Sequence, residues 1–207
     1  METKEKKLCR VFCLSGILGF IFYILHDIIG AMNYPGYKWT SQAVSDLTAT
    51  DAPSFAIANG FSSVHGIMSV VCCLFVCVLV QNRHTVTRIG TALFTVMSVI
   101  SAVGYTLFPL SGAGYDGSVR SFIHTYVITT AVVLLSIVSL VLIAIGSFKD
   151  SRKALGILAI ISLALMFIGA VGSGAAPKEY FGIFERFSTY SAVVFTAVLG
   201  TFHFSKK

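Results

Sequence analysis

Residues 122–146 read FIHTYVITTAVVLLSIVSLVLIAIG and contain no Lys, Arg, Asp or Glu. A helix needs about 20 mostly apolar residues to cross the hydrocarbon core of a bilayer, so this stretch predicts a membrane-spanning helix. Five further runs of similar length and character flank it, at residues 8–30, 57–80, 88–108, 154–175 and 184–204. The sequence therefore predicts an all-α, polytopic membrane protein with six transmembrane helices.

The composition of the whole chain points the same way. Of 207 residues, 56% are hydrophobic and 12% are charged, and the charged share is about half that of soluble domains. So few charged side chains cannot cover the surface of a water-soluble domain, which argues against a cytosolic enzyme, a disordered chain and a nucleic-acid binder. The six runs leave no room for a separate soluble domain, so residues 1–207 are interpreted as a single transmembrane domain.

Lysine and arginine are distributed unequally between the two sides of the predicted bundle. The side of the termini carries Lys4, Lys6, Lys7, Arg10, Arg83, Arg88, Lys149, Arg152, Lys153, Lys206 and Lys207. The other side carries Lys38, Arg120, Lys178 and Arg186. Because positive charge is retained in cytoplasmic loops, both termini are predicted to be cytoplasmic, and the plasma membrane is the expected location.

The longest segment outside the predicted spans is the outer loop, residues 31–56. It carries Tyr34, Tyr37 and Trp39, aromatic residues of the kind that anchor at the membrane interface. A loop this long in a compact bundle is typically a lid or part of a site. We therefore expect it to cover the outer face of the bundle in part.

Ionisable residues recur at the outer ends of several spans. They are His26 and Asp27 in span 1, His65 in span 2, His124 in span 4, and Glu185 and Arg186 in span 6. Such residues cost about 2.5–3.5 kcal/mol each at membrane depth, so they usually face a cavity and have a partner. The sequence thus predicts an outward-facing polar cavity built from His, Asp and Glu.

Three histidines with nearby carboxylates form a ligand set suited to zinc. Under this hypothesis His26, His65 and His124 are the ligands, and the protein is a metal-dependent hydrolase of a lipid or other amphiphile at the outer leaflet. Asp27 or Asp46 would orient a ligand or act as general base. Ser45 is a candidate nucleophile if a base lies nearby. No H-E-x-x-H, H-x-x-x-H or C-x-x-C motif accompanies these residues.

Four further charged residues are candidates for contact with a lipid headgroup: Asp116, Arg120, Glu185 and Arg186. Arginine suits bidentate phosphate contacts. The same four residues are equally explained as solvent-exposed charges at the rim of the bundle or as partners in ion pairs within the protein. Membrane lipids are therefore the expected partners; nucleic acid is not, and a homo-oligomer is left open.

Two other functions remain open. A small proton-coupled transporter or channel-like protein would need a polar path to the inner side, and the stripe Thr91, Thr95, Ser98 and Ser101 is the best candidate for it. A non-catalytic sensor or assembly partner would use its histidines to respond to external pH. Stripes of small polar residues also serve simply as helix-packing surfaces.

The loop motif Tyr34-Pro-Gly-Tyr37, followed by Ser45-Asp46-Leu47 and Ala52-Pro53, resembles the domain-of-unknown-function family 998 of prokaryotic membrane proteins. Phe108-Pro109 and the later His124 resemble its second block. The resemblance implies six helices and a prokaryotic plasma membrane, and implies no activity. A looser similarity of composition to the alkaline-ceramidase and adiponectin-receptor hydrolases rests on Ser, Asp and three His. Those proteins have seven spans and an H-x-x-x-H pair, which this chain lacks.

Overall fold

The computed structural model describes residues 4–205, and the described part contains helices and loops but no strand. Its helices are α1 (Lys4–Cys13), α2 (Ser15–Met32), α3 (Phe55–Leu79), α4 (Thr85–Leu107), α5 (Val119–Phe122), α6 (Thr129–Lys149), α7 (Lys153–Ala175) and α8 (Phe181–Phe204). A π-helical segment, Ile123–Ile128, joins α5 to α6, and short 3-10 helices lie at Val44–Thr48 and Lys178–Tyr180.

Six helical stretches are long and apolar enough to cross a membrane, which confirms the predicted fold class. Spans 1 to 6 are Lys4–Met32, Phe55–Leu79, Thr85–Leu107, Val119–Lys149, Lys153–Ala175 and Lys178–Phe204. Span 1 begins four residues before the predicted run, because α1 continues through the basic segment ahead of it. The cytoplasmic placement of the termini stays a prediction; Lys206 and Lys207, which contribute to it, lie outside the described residues.

The spans form a closed ring in chain order. Each span packs against the next, and span 6 returns to pack against span 1. Large apolar side chains on the outer surface of the ring remain exposed, for example Ile67, Val119 and Val171. In a membrane these side chains contact lipid. The ring has two ends: the loop end carries the long loop (residues 33–54), and the terminal end carries the first and last described residues, Lys4 and Ser205.

Apolar packing fills the terminal half of the ring. Phe94 of span 3 meets Phe195 of span 6 edge to face, with ring centroids 5.5 Å apart. Both side chains are fully buried, and Leu140, Leu155 and Met166 join the same cluster. The loop half holds a second cluster in which Val44 and Leu47 of the long loop pack into the bundle. The long loop is therefore part of the core at its end of the molecule.

Two long connections are bonded together at the loop end. The backbone N–H of Thr50 donates to the carbonyl of Leu110 at 2.8 Å, and that of Asp51 donates to Ser111 at 3.0 Å. These bonds join the long loop to the connection between spans 3 and 4. Any movement of one connection therefore involves the other.

Close helix contacts in the ring depend on glycine. A Cβ atom at Gly146 of span 4 would fall against the hydroxyl and backbone nitrogen of Thr87 in span 3, whereas Gly60 of span 2 faces open space. We expect Gly146→Ala to reduce the free energy of unfolding by about 2 kcal/mol through overpacking. Gly60→Ala is the control, and unfolding by SDS titration is the measurement. Equal effects of the two variants would contradict the close approach.

Candidate functional site

A buried ion pair joins span 1 to span 6 at the loop end. Arg186 donates from Nη2 to Oδ1 of Asp27 at 2.7 Å and from Nε to Oδ2 at 3.0 Å. Their side chains are 4% and 3% exposed. The Tyr190 hydroxyl also donates to Oδ2 of Asp27, at 3.0 Å. Two parallel charge-assisted bonds fix both distance and orientation, so this pair sets how the two spans meet.

The same guanidinium holds the long loop in place. Nη1 of Arg186 donates to the carbonyls of Trp39, Gln42 and Gly182 at 2.9, 3.1 and 3.0 Å. Nη2 also donates to the hydroxyl of Tyr37 at 2.8 Å, and the Trp39 ring covers the guanidinium at 4.4 Å. A side chain at Gly182 would collide with the loop carbonyls. Loop docking therefore requires both Arg186 and the glycine one turn before it.

Two more carboxylates bind loop backbone. Oε2 of Glu185 accepts a hydrogen bond from the N–H of Val44 at 3.2 Å. Oδ1 of Asp46 accepts from the N–H of Gly114 at 2.9 Å, and Oδ2 accepts from Ala43 at 3.2 Å. Asp46 thus ties the connection between spans 3 and 4 to the long loop. These acids satisfy loop N–H groups that would otherwise be buried without partners.

His26 is buried beside these groups, and its hydrogen-bonding capacity is unused. The residue is 3% exposed, and neither ring nitrogen has a partner. Tyr23 lies between two histidines, with its ring 5.5 Å from His26 and 4.8 Å from His65. Nδ1 of His65 lies 2.9 Å from the carbonyl of Gly19, so it carries the proton that this bond needs. His26 is therefore a buried side chain beside the ion pair that can still make hydrogen bonds through both ring nitrogens.

His124 lies elsewhere. Its Nδ1 bonds to the carbonyl of Phe108 at 2.8 Å, and its ring packs on Tyr105 at 4.8 Å. It sits in the π-helical segment, and Thr129 donates to its carbonyl at 2.9 Å. No contact between residues 4–205 links His124 to His26 or His65, and no three His, Cys, Asp or Glu side chains there are grouped to hold a metal. The zinc hypothesis finds no support in this arrangement.

Three other candidate residues also lie outside the cluster around Arg186. Ser45 accepts a bond through its carbonyl from the Thr48 hydroxyl, but no described residue hydrogen-bonds to its own hydroxyl. Asp116 accepts from the N–H of Ser118 at 2.9 Å, and the Ser118 hydrogen bonds lower the pKa of Asp116. Arg120 is exposed and has no ion pair within residues 4–205. We find no shared site for these three.

The polar groups pack against one another and against the loop instead of lining an open cavity. Sequence reasoning identified the charged members of this cluster but missed the role of the aromatic ones. The sequence places Tyr37 and Trp39 at the membrane interface and assigns no role to Tyr190. The available signal for Tyr190 is its spacing, since it follows Arg186 by four residues on one helix face.

The model of one protein family matches residues 17–201. That family is described as proteins of unknown function, DUF998. The chain belongs to this family. No curated protein and no solved structure matches it. The chain is thus a multi-pass membrane protein of an uncharacterised family, as the loop motifs predicted. Its six apolar helices make it an integral membrane protein, and the particular membrane stays a prediction.

The ion pair can be tested by a double-mutant cycle. Arg186→Gln and Asp27→Asn are each expected to cost about 3–5 kcal/mol of stability, because each leaves a buried charge without its partner. The double variant should lose less than the sum of the two. SDS-induced unfolding measures all three, with the exposed Arg120→Gln as the control. Strictly additive losses would contradict direct coupling.

Docking of the long loop should depend on pH through Asp46. Burial raises the pKa of Asp46, although the N–H groups of Gly114 and Ala43 and the charge of Arg186 oppose the shift. An acid whose pKa is raised in the docked state favours docking more strongly as the pH falls through that pKa. Trp39 is the single tryptophan, so its quenching by iodide reports docking. We expect less quenching at pH 5 than at pH 7, and a smaller difference in Asp46→Asn. An unchanged pH dependence in that variant would exclude Asp46 as the source.

Proposed function

We propose that the protein is a small proton-translocating membrane transporter. Two features support this function. The first is the loop-end cluster, which consists of Tyr23, His26, Asp27, His65, Glu185 and Arg186. The second is a polar seam, which begins between spans 2 and 3 with Ser69, Cys73, Cys77, Thr95 and Ser98 and continues along span 3 through Thr91 to Thr87, where span 3 packs on span 4. The cluster receives the proton, and the seam leads it to the terminal end.

The charge of the loop-end cluster favours proton uptake. It holds two acids, Asp27 and Glu185, and one arginine, Arg186, so it has one excess negative charge when its histidines are neutral. Glu185 acts electrostatically on the buried Tyr23, together with Asp27. One proton cancels the excess, and the Glu185 carboxyl, which forms no ion pair within residues 4–205, is the site for it. Buried ionisable groups in membrane spans commonly form proton relays.

The single observation that carries the proposal is the length of the polar seam. Next to the cluster, the Ser69 hydroxyl lies 3.4 Å from Nδ1 of His65. At the terminal end, the Thr87 hydroxyl donates to Oδ2 of Asp150 at 2.6 Å. From His65 to Cys77, α3 alone covers about 18 Å at 1.5 Å per residue. Polar side chains therefore occur at successive depths from the cluster to the opposite end.

Contacts between the two spans keep the seam polar at its centre. Cys73 lies 3.4 Å from the hydroxyl of Ser98, and Cys77 lies 3.1 Å from that of Thr95. Each hydroxyl donates to its own helix four residues earlier: Ser98 donates to the carbonyl of Phe94, and Thr95 to that of Thr91. Their oxygens therefore accept from the thiols. Burial in this region is nearly complete, since Ser98 is 6% and Thr95 is 7% exposed.

A hydrolase acting on a lipid is less well supported by the same contacts. The three histidines do not form a ligand group, and the Ser45 hydroxyl has no basic partner within residues 4–205. A sensor that responds to pH shares the loop-end cluster with our proposal. It does not require a polar seam that reaches the other end.

Proton flux into liposomes tests the proposed function. The purified protein is reconstituted with a pH-sensitive dye inside, and a potassium gradient with valinomycin drives protons inward. We expect flux above that of empty liposomes, and a loss of about tenfold or more in Thr95→Val/Ser98→Ala, because each change removes a buried polar group from the path.

The matched control is Thr106→Val. Thr106 lies on the same helix and makes the same bond, to the carbonyl of Ala102 at 2.7 Å, but it is exposed in the last turn of the helix at the loop end. Its removal should leave flux unchanged. Flux of the wild type equal to that of empty liposomes from pH 5 to pH 8 would refute the proposal. An equal loss in Thr106→Val would show that the seam is not the path.

A further inference from the structure

At the terminal end, far from the loop-end cluster, a second arginine is buried without an ion pair to any acid among residues 4–205. Arg152 is 5% exposed. Its Nη1 lies 2.8 Å from Nε2 of His203, whose Nδ1 lies 2.8 Å from the carbonyl of Leu199. A carbonyl only accepts, so Nδ1 carries a proton; the guanidinium also only donates, so Nε2 is the acceptor. The histidine facing Arg152 is therefore neutral and does not balance its charge.

The surroundings of Arg152 are positively charged. The charged groups that act on it are Arg83 from the connection between spans 2 and 3, Arg10 from α1, and Asp150. Among residues 4–205, the groups that act on Arg152 are thus two arginines and one acid. Burial lowers the pKa of Arg152 to about 10, with Arg83 and Arg10 adding to the effect, so the guanidinium still carries its charge at neutral pH.

The carboxylate of Asp150 accepts hydrogen bonds from groups other than Arg152. Oδ1 accepts from the N–H of His84 at 3.0 Å, and Oδ2 accepts from the Thr87 hydroxyl. Burial tends to raise the pKa of Asp150, but these bonds and the charges of Arg83 and Arg152 outweigh it and lower the pKa. Asp150 is thus a charged cap on the start of α4. It forms no ion pair with Arg152 within residues 4–205.

One edge of the guanidinium is unused. Nε of Arg152 is buried with no hydrogen-bond partner, and within residues 4–205 the bond to His203 is made by Nη1 alone. Nε and Nη2 form the edge with which arginine holds two oxygens of a carboxylate or phosphate in parallel. A buried cation without a counterion is strongly disfavoured. An anion that binds to this edge through two oxygens would supply the counterion that residues 4–205 do not provide.

We propose that Arg152, with Arg83 and Arg10 close by, forms a binding site for a phosphate-bearing anion. The position suits the headgroup of an anionic lipid, because Arg152 directly precedes α7 and lies where a membrane span begins. Basic groups next to a span commonly attract anionic lipid. Free phosphate has the same recognition chemistry, so the experiment separates the two sources.

Thermal unfolding in a neutral detergent tests the site. Short-chain phosphatidylglycerol, phosphatidylcholine with the same chains, and sodium phosphate are added separately to the purified protein. We expect phosphatidylglycerol to raise the apparent unfolding temperature more than phosphatidylcholine does, because the site carries an excess of positive charge. Arg152→Gln should weaken the concentration dependence of this stabilisation about tenfold or more, as expected for a lost charge-assisted contact. The exposed neighbour variant Lys153→Gln should retain it.

Each outcome decides the proposal. Stabilisation by sodium phosphate equal to that by phosphatidylglycerol, and lost in Arg152→Gln, assigns the site to free phosphate. The proposal is overturned if phosphatidylglycerol stabilises no more than phosphatidylcholine and sodium phosphate has no effect. It is also overturned if phosphatidylglycerol stabilises Arg152→Gln as much as the wild type. If Arg152→Gln does not fold, Arg83→Gln replaces it. We expect this variant to lose less of the stabilisation by phosphatidylglycerol than Arg152→Gln would. Stabilisation equal to that of the wild type would count against the site. Proton flux plays no part in this readout, so the result is independent of the proposed function.

Discussion

The ion pair between Arg186 and Asp27 is the interaction on which the loop end depends. A charged pair is costly to remove from water, and it persists only where its remaining hydrogen-bonding groups are also satisfied. Here Tyr190 supplies a donor to the acid, and three carbonyls accept from the arginine. Two of these carbonyls belong to the long loop. The contacts that satisfy Arg186 therefore both join span 6 to span 1 and dock the loop. This explains how a loop of 22 residues (33–54) packs Val44 and Leu47 into the core of the bundle.

The buried charges at the two ends of the ring have opposite signs in excess. The loop end holds more buried acids than cations, whereas the terminal end holds Arg152 among further arginines. In the low dielectric of a membrane protein, neither excess is stable in isolation. In our two proposals, a proton neutralises the loop end and an anion neutralises the terminal end. Both proposals therefore follow from one requirement, that buried charge be balanced by something that residues 4–205 do not themselves provide.

The sequence predicts the six spans well because their signal is local: each is a run long enough to cross the bilayer. It also identifies Asp27, Glu185 and Arg186, since a charged residue at membrane depth stands out against its neighbours. It does not predict which residues meet. His26, His65 and His124 were grouped because they lie at a similar depth, but depth says nothing about position around the ring. The structure places His124 between spans 3 and 4 against Tyr105, away from the other two. Nearness in the chain also fails to predict the partner of Arg186. It pairs with Asp27 of the adjacent span 1 and not with Glu185, its neighbour in the sequence.

Proton uptake and loop docking share the same atoms, which links the proposed transport to a structural change. Arg186 remains among the loop carbonyls because Asp27 holds it there with two charged bonds. A proton that reaches Asp27 would remove one of these charges and weaken the hold on the guanidinium. The loop contacts of Arg186 would then weaken as well, since the same side chain makes them. Asp46 opposes this release, because its protonated form favours the docked loop. The acids of the loop end thus act in opposite directions, and the balance between them determines whether the long loop stays closed as the proton moves on toward the seam.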